Sequence, residues 1–312
     1  MKASTFADLS LLFVALIWGA TFVLVQNAIS FLEPQSFNAV RFAFAAILLG
    51  LWLLFFEKEQ LKKLDKKLLL SGIMLGFWLF IGYAFQTLGL LYTTSSKAGF
   101  ITGLSVVLVP LLMLVILKQR PSLNSIAGVS AATAGLYLLT MSDVSSLNIG
   151  DAFVLICAAG FALHIVFTGK FSSSFPTLLL TTVQIATVAA LSAISAVFFE
   201  DWKRAFNPEV IFSANVVVAL LVTSILATAL AFFIQTNFQK HTTATRVALI
   251  FAMEPVFAAI TAYFWADERL AYSALAGCVL IFAGMVFAEL PPGKFERFVR
   301  KLFPKKEADF KA

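Results

Sequence analysis

The chain is a succession of about ten apolar runs, each long enough to cross a bilayer as a helix at about 1.5 Å per residue. In order they are Leu9 to Phe31, Gln35 to Phe56, Leu68 to Leu91, Lys97 to Leu117 and Leu123 to Met141. After a polar linker come Asp151 to Gly169, Pro176 to Phe199, Ser213 to Phe238, Thr242 to Trp265 and Tyr272 to Leu290. Lipid offers a backbone N–H or C=O no water to bond, so an unbroken apolar run of this length is satisfied as a helix. Composition agrees: 60% of the residues are hydrophobic and 13% are charged, and the mean hydropathy is +0.92. A soluble protein carries about 25% charged residues, so this chain has too little polar surface to coat a water-soluble globule. The expectation is an all-α integral membrane protein. Lys2 ahead of the first run suggests a signal peptide, but the run outlasts a signal core and no small-residue cleavage site follows, so it is read as a retained helix. Cys157 and Cys278 both fall inside apolar runs and read as small buried residues.

The runs repeat. A shift of 149 residues places Gln86-Thr87 on Gln235-Thr236, Thr93-Thr94 on Thr242-Thr243, Lys97 on Arg246, Ile101 on Ile250 and Arg120 on Arg269. The same shift carries Gly128 and Gly135 onto Gly277 and Gly284, with no gap. Earlier parts match more loosely, with Asp8 and Asp151 each opening the first run of a half, and Gly19 and Gly160 inside those runs. The chain thus divides into 1–145 and 146–292, each with five runs, followed by a basic tail, 293–312. An odd number of crossings forces the second half into the membrane upside down. Two inverted five-helix repeats are the expected architecture, and inverted repeats commonly build secondary transporters with the site near the midplane between the halves.

Lysine and arginine counts orient the chain. With the N-terminus on one side, eighteen positive residues fall there: Lys2, five between Lys58 and Lys67, Lys118, Arg120, Lys170, Lys240, Arg246 and seven in the tail. The other side receives Lys97, Lys203, Arg204 and Arg269, and Arg41 lies inside a run. This bias puts both termini in the cytoplasm of a multi-pass cell-membrane protein. It also accounts for the +6 charge without nucleic acid, for which no aromatic-basic motif is present. In the tail, Phe295, Phe298, Leu302 and Phe303 recur at helical spacing between basic residues. Two readings stand, an amphipathic helix on the anionic inner leaflet and a charged tail that only sets topology.

Several segments carry a family resemblance: WGATF (Trp18 to Phe22), FQTLGLLYTTSSKAGFITGL (Phe85 to Leu104), VPLLMLVILKQRPS (Val109 to Ser122) and GDAFVLICAAGFALHIVFTGKF (Gly150 to Phe171). To these is added the long stretch from Ala248 to Leu290. Together they resemble the EamA-type members of the drug/metabolite transporter superfamily, as two tandem copies over nearly the whole chain. The resemblance implies ten helices around a central cavity and export of small metabolites, amino acids or drugs. One departure is informative. The first copy has Ser105-Val106 where the second has Glu254-Pro255, and its own proline follows at Pro110, so any acidic function belongs to one half.

Glu254 and Pro255 lie in the middle of a run where an ordinary anchor carries neither. A carboxylate there costs at least about 2.5 kcal/mol on insertion scales, and proline frees a carbonyl one turn earlier. Two readings of Glu254 stand: a carboxyl that exchanges protons as the cavity opens to either side, or a hydrogen-bonded acid that braces the kink at Pro255. Pro110 is read as the matching kink. Arg246 lies about 12 Å along the axis from Glu254, so it is expected at the interface and not in a direct pair. Gln86 and Gln235, at matched positions, either orient a polar substrate or bond between helices. Trp18 and Tyr83 are candidate aromatic walls, with core packing as the plainer reading. His164 either lines the cavity or satisfies a carbonyl, and Arg41 either attracts an anionic group or snorkels to the interface, which is the preferred expectation. Gly72, Gly76, Gly128, Gly135, Gly277 and Gly284 are read as helix-packing positions.

Other chemistries lack their residues. Gly169-Lys170 is followed by Phe171, and His164 stands where a nucleotide-binding loop needs glycine, so ATP is not the expected energy source. No HExxH, metal-ligand cluster or cofactor motif is present, and no paired carboxylates sit within a run. The expected partners are a small-molecule substrate, the lipid bilayer and, on the coupled reading of Glu254, protons. The alternatives are an uncoupled facilitator and, in another class, a membrane enzyme that brings Glu254 and His164 together as a base pair.

Overall fold

The computed structural model describes residues 3–140, 148–265 and 271–289. Among them the secondary structure is helical, with no strand. The first half holds α1 (Ala3–Ala28), α2 (Pro34–Phe56), the one-turn α3 (Lys58–Leu61), α4 (Lys66–Gly89), α5 (Ser95–Gly103), α6 (Ser105–Leu117) and α7 (Leu123–Thr140). The second opens with α8 (Ile149–Phe171), α9 (Thr177–Phe199) and the one-turn α10 (Pro208–Ile211), which a 3-10 turn (Trp202–Phe206) precedes. It continues through α11 (Ala214–Ser224), a π-helical segment (Ile225–Leu230), α12 (Ala231–Gln239), α13 (Ala244–Phe251), α14 (Glu254–Trp265) and α15 (Tyr272–Glu289). Eight stretches are long and apolar enough to cross a membrane, and two shorter apolar helices, Leu123–Leu139 and Tyr272–Ala288, accompany them. Large apolar side chains such as Phe55, Val115, Phe199 and Phe264 point outward and are exposed, which suits a lipid-facing surface. The tail, the linker 141–147, Lys2 and Arg269 lie outside the described residues.

Polar residues at the run boundaries set the helix starts. Asp65 accepts from Leu68 N at 2.7 Å, and Asn148 and Asp151 form a reciprocal capping box on α8. Thr94 caps α5 by accepting from Lys97 N, and Thr243 caps α13 by accepting from Arg246 N, each at 3.3 Å. These caps are the same pair in the two halves, and each satisfies a backbone donor that the helix start leaves unpaired.

The principal helix contacts are preserved when the halves are exchanged. α7 packs against α15 and α2 against α9, each helix on its own counterpart. α4 packs against α8 and α9, as α11, the π segment and α12 pack against α1 and α2. α8 rests on α5 and α6, as α1 rests on α13 and α14. Glycine permits the closest of these crossings. A Cβ on Gly128 would stand 2.6 Å from the Gly284 carbonyl oxygen, and one on Gly135 would stand 2.6 Å from that of Gly277. Gly72 and Gly76 face Val183, Gln184 and Thr187 of α9 in the same way.

Two features depart from the sequence expectation. The fourth and ninth runs are each interrupted: the first ahead of Pro110, and the second directly after Phe251, the residue whose carbonyl Pro255 leaves without its helical donor. The first comes at Leu104, six residues before Pro110, which sits inside α6. The second comes at Ala252 and Met253, before α14, where Pro255 occupies the first turn and its missing N–H costs nothing. A shift of 149 carries Leu104 onto Met253, so the break belongs to the repeat. The eighth run contains the π segment, which no proline or glycine announces.

Candidate functional site

The residues flanking the two breaks, Gly103 and Ser105 in one half and Phe251 and Glu254 in the other, line a narrow cavity of about 60 Å³. That is room for about five water molecules, against about 300 Å³ or more for a pocket that takes an organic ligand. Trp18, Tyr83 and Gln86 reach it from the first half; His164, Gln235, Glu254 and Pro255 reach it from the second. Ser105, the first-half counterpart of Glu254, lies on its wall as well.

Glu254 is the first residue of α14, at the positive end of that helix, where a carboxylate is favoured. Its carboxylate makes no hydrogen bond or ion pair among the described residues. It faces the cavity and does not brace the chain by hydrogen bonding. The aromatic walls interlock: Trp18 meets Phe232 at 5.3 Å and Phe251 at 4.9 Å, and Tyr83 meets Phe161 at 5.1 Å between ring centroids. The contacts to Phe251 and Phe161 are edge-to-face and that to Phe232 is tilted, geometries that aromatic pairs favour over a face-to-face sandwich.

The matched amides are bonded differently. Gln86 Nε2 donates to Thr102 Oγ1 at 3.3 Å, and Gln235 Nε2 donates to Gln239 Oε1 at 3.3 Å. Gln239 Nε2 in turn reaches the Ile165 carbonyl at 2.6 Å, while Gln235 Oε1 has no protein partner. His164 lines the cavity, but its Nε2 is engaged with Gln184 Oε1 at 2.9 Å and with Thr168 Oγ1 at 3.3 Å. Gln184 passes the network to Thr236 through a 3.0 Å bond from Nε2. Among the described residues no hydrogen bond or ion pair joins the ring to Glu254.

Arg41 corrects the sequence expectation. It does not snorkel; it is 3% exposed, and Nε donates to Thr228 Oγ1 at 2.8 Å. Its guanidinium stacks 4.8 Å from the centre of the Tyr83 ring and 5.2 Å from that of Phe42. Arg41 is outside the cavity lining and stands behind Tyr83. Thr228 belongs to the π segment, whose Ala227 carbonyl accepts from Trp18 Nε1 at 2.8 Å and from Arg41 at 3.5 Å. Two side-chain donors thus converge on one carbonyl of the π segment, and segments of this kind commonly mark functional sites.

Two ion pairs were legible in the repeat but not paired by it. Arg246 meets Asp8 at 2.8 Å, and Lys97 meets Asp151 at 2.6 Å. Each joins one half to the other, and exchanging the halves turns one pair into the other. Arg246 is thus occupied by Asp8 and not by Glu254.

The sequence profile of the EamA-like transporter family matches the chain twice, over residues 5–141 and again over 148–289. A relative from Archaeoglobus fulgidus named an uncharacterized transporter is 35% identical over 285 residues, covering 91% of this chain and 86% of its own. The uncharacterized transporter YyaM of Bacillus subtilis is 26% identical over 277 residues, covering 86% of this chain and 89% of its own. A solved structure titled only as the crystal structure of a protein shares the fold, with a TM-score of 0.75 at 20% identity, over 96% of this chain and 99% of that one. The twice-matched profile and the tandem packing lead to one assignment: the chain is a multi-pass membrane protein of the EamA-like transporter family.

Proposed function

We propose that the protein is a secondary transporter that exports small organic solutes by alternating access. On this reading the eight long spans and the two shorter apolar helices make ten crossings, in two inverted repeats bounded at 1–145 and 146–292. The tail 293–312 and the N-terminus lie in the cytoplasm, at the cell membrane. The observation that carries the reading is a cavity walled by both halves into which Glu254 presents a carboxyl with no hydrogen-bond or ion-pair partner among the described residues. Two amides, an imidazole and a set of aromatic faces surround it, the mixture of apolar wall and few polar groups that small-molecule sites use. The family assignment supports transport in preference to an enzyme, as does the engagement of His164 with Gln184.

The unpaired acid favours proton coupling over uncoupled facilitation. A carboxyl in a cavity that wets and dries loads and releases a proton as the cavity changes sides. Glu254→Gln keeps the shape and loses the exchangeable proton. For a solute whose toxicity falls in cells expressing the protein, accumulation driven by a pH gradient is measured in vesicles of the purified chain. The coupled reading expects Glu254→Gln to lose gradient-driven accumulation while retaining solute exchange. Accumulation at the unsubstituted level in Glu254→Gln overturns coupling and leaves the facilitator.

A further inference from the structure

Lys97 and Arg246 are the third residues of their capped helices, α5 and α13. A cation there opposes the positive end of the helix dipole, and each is met by an acid brought from outside the helix. That acid comes from the opposite half in both cases: Asp151 at the start of α8 for Lys97, and Asp8 near the start of α1 for Arg246. Lys97 precedes Ser105, and Arg246 precedes Glu254, by eight residues, about 12 Å of helix. The nearest lining residues on these helices are Gly99, two residues beyond Lys97, and Phe251, five beyond Arg246, so the pairs stand off the cavity by about 3 and about 8 Å of helix. The two helices enter from opposite faces on the inverted reading, so one pair lies on each side of the cavity.

We propose that these pairs are the two gates of the transport cycle: Lys97–Asp151 closes the cavity toward one face, Arg246–Asp8 closes it toward the other, and opening requires one to part while the other holds. This rests on the transporter reading of the cavity. Both pairs are made at once here, which matches a cavity with room for only a few waters. The gates are unequal. Lys97 and Asp151 are 8% and 5% exposed in their side chains, and Thr93 Oγ1 adds a 2.8 Å bond to Asp151 Oδ1. Arg246 is 25% exposed, and the hydroxyl of Thr242, the counterpart of Thr93, has no partner. Because each pair bridges the halves, parting it frees α8 from α5, or α1 from α13, at one face and leaves the other face joined.

The test uses access to the cavity, which needs no knowledge of the solute. Ser105→Cys, with Cys157 and Cys278 replaced by alanine, places one thiol on the cavity wall in sealed vesicles of known orientation. A membrane-impermeant thiol reagent is then applied from each face. Asp151→Asn is expected to raise labelling from the Asp151 face by about tenfold or more, since removing one partner of a buried pair is costly to the closed state, and to lower it from the Asp8 face. Asp8→Asn is expected to do the reverse. The exchanged pair Lys97→Asp with Asp151→Lys is expected to return labelling toward the parental rates, which a variant that misfolds does not do. Face-independent labelling in both single variants, a shift toward the same face in both, or an exchanged pair that stays at the Asp151→Asn rates overturns the proposal. If the labelling switches faces but no solute moves, the gates stand and the transporter reading fails. If solute exchanges while labelling ignores both acids, transport stands and the gates fail.

Discussion

Arg41 is a guanidinium taken out of water with no carboxylate in an ion pair with it among the described residues. Thr228, the Ala227 carbonyl and the faces of Tyr83 and Phe42 share the cost of holding it. Arg41→Lys keeps the charge but loses the planar fork that reaches Thr228 and lies on Tyr83. Losing a hydrogen bond to a charged group costs about 1.5–3 kcal/mol, so the variant is expected to melt at a lower temperature in detergent. An unchanged melting temperature contradicts this role. The sequence placed Arg41 near the start of a run, where snorkelling is the ordinary outcome. What holds it inward is Thr228, presented by a π turn 187 residues away in the chain. No periodicity in the sequence signals that turn. By contrast, Glu254 was legible because an acid in an apolar run is anomalous by itself.

At the level of helices, the glycine seam between α7 and α15 is the tightest statement of the repeat. Gly128 faces Gly284 and Gly135 faces Gly277, backbone to backbone. Gly128→Val places a side chain where the Gly284 carbonyl already stands, and backbone cannot yield as a flexible side chain does. Overpacking costs about 1–3 kcal/mol or more, and a lower melting temperature with reduced yield in detergent is expected. Gly50→Ala is the matched control, since a Cβ there meets nothing within 4 Å. It is expected to be neutral or stabilising by up to about 1 kcal/mol. Equal effects of the two changes contradict the seam. The spacing of these glycines made them visible in the sequence, because small residues recur where helices touch. The helix break at Leu104 was not visible, because Val106 stands where the second half has Pro255. Proline is a strong local signal, and in the first half it drew attention to Pro110, while the break itself is a property that both halves share.

For the whole molecule, the apolar runs and the shift of 149 made the helical membrane class and the tandem halves readable before any coordinates. Both arise from forces that act everywhere along the chain: backbone satisfaction in lipid and the matching of one half to the other. The partners of Asp8, Lys97, Asp151 and Arg246 were not readable. The repeat identified equivalent residues, but contact across the halves depends on how the two copies interleave, with α1 resting on α13 and α14 and α8 on α5 and α6. The same interleaving brings Trp18 and Tyr83 from one half to the cavity that Glu254 enters from the other. On the proposed reading, a cavity shared in this way and flanked by two ion pairs that bridge the halves serves movement of a solute. Counterflow tests this most directly. Vesicles holding the purified protein are loaded with a candidate solute at high concentration, and entry of the labelled solute from outside is followed. Saturable, trans-stimulated exchange with the solute chemically unchanged is the expected result. Conversion of the solute to a product without exchange would contradict it.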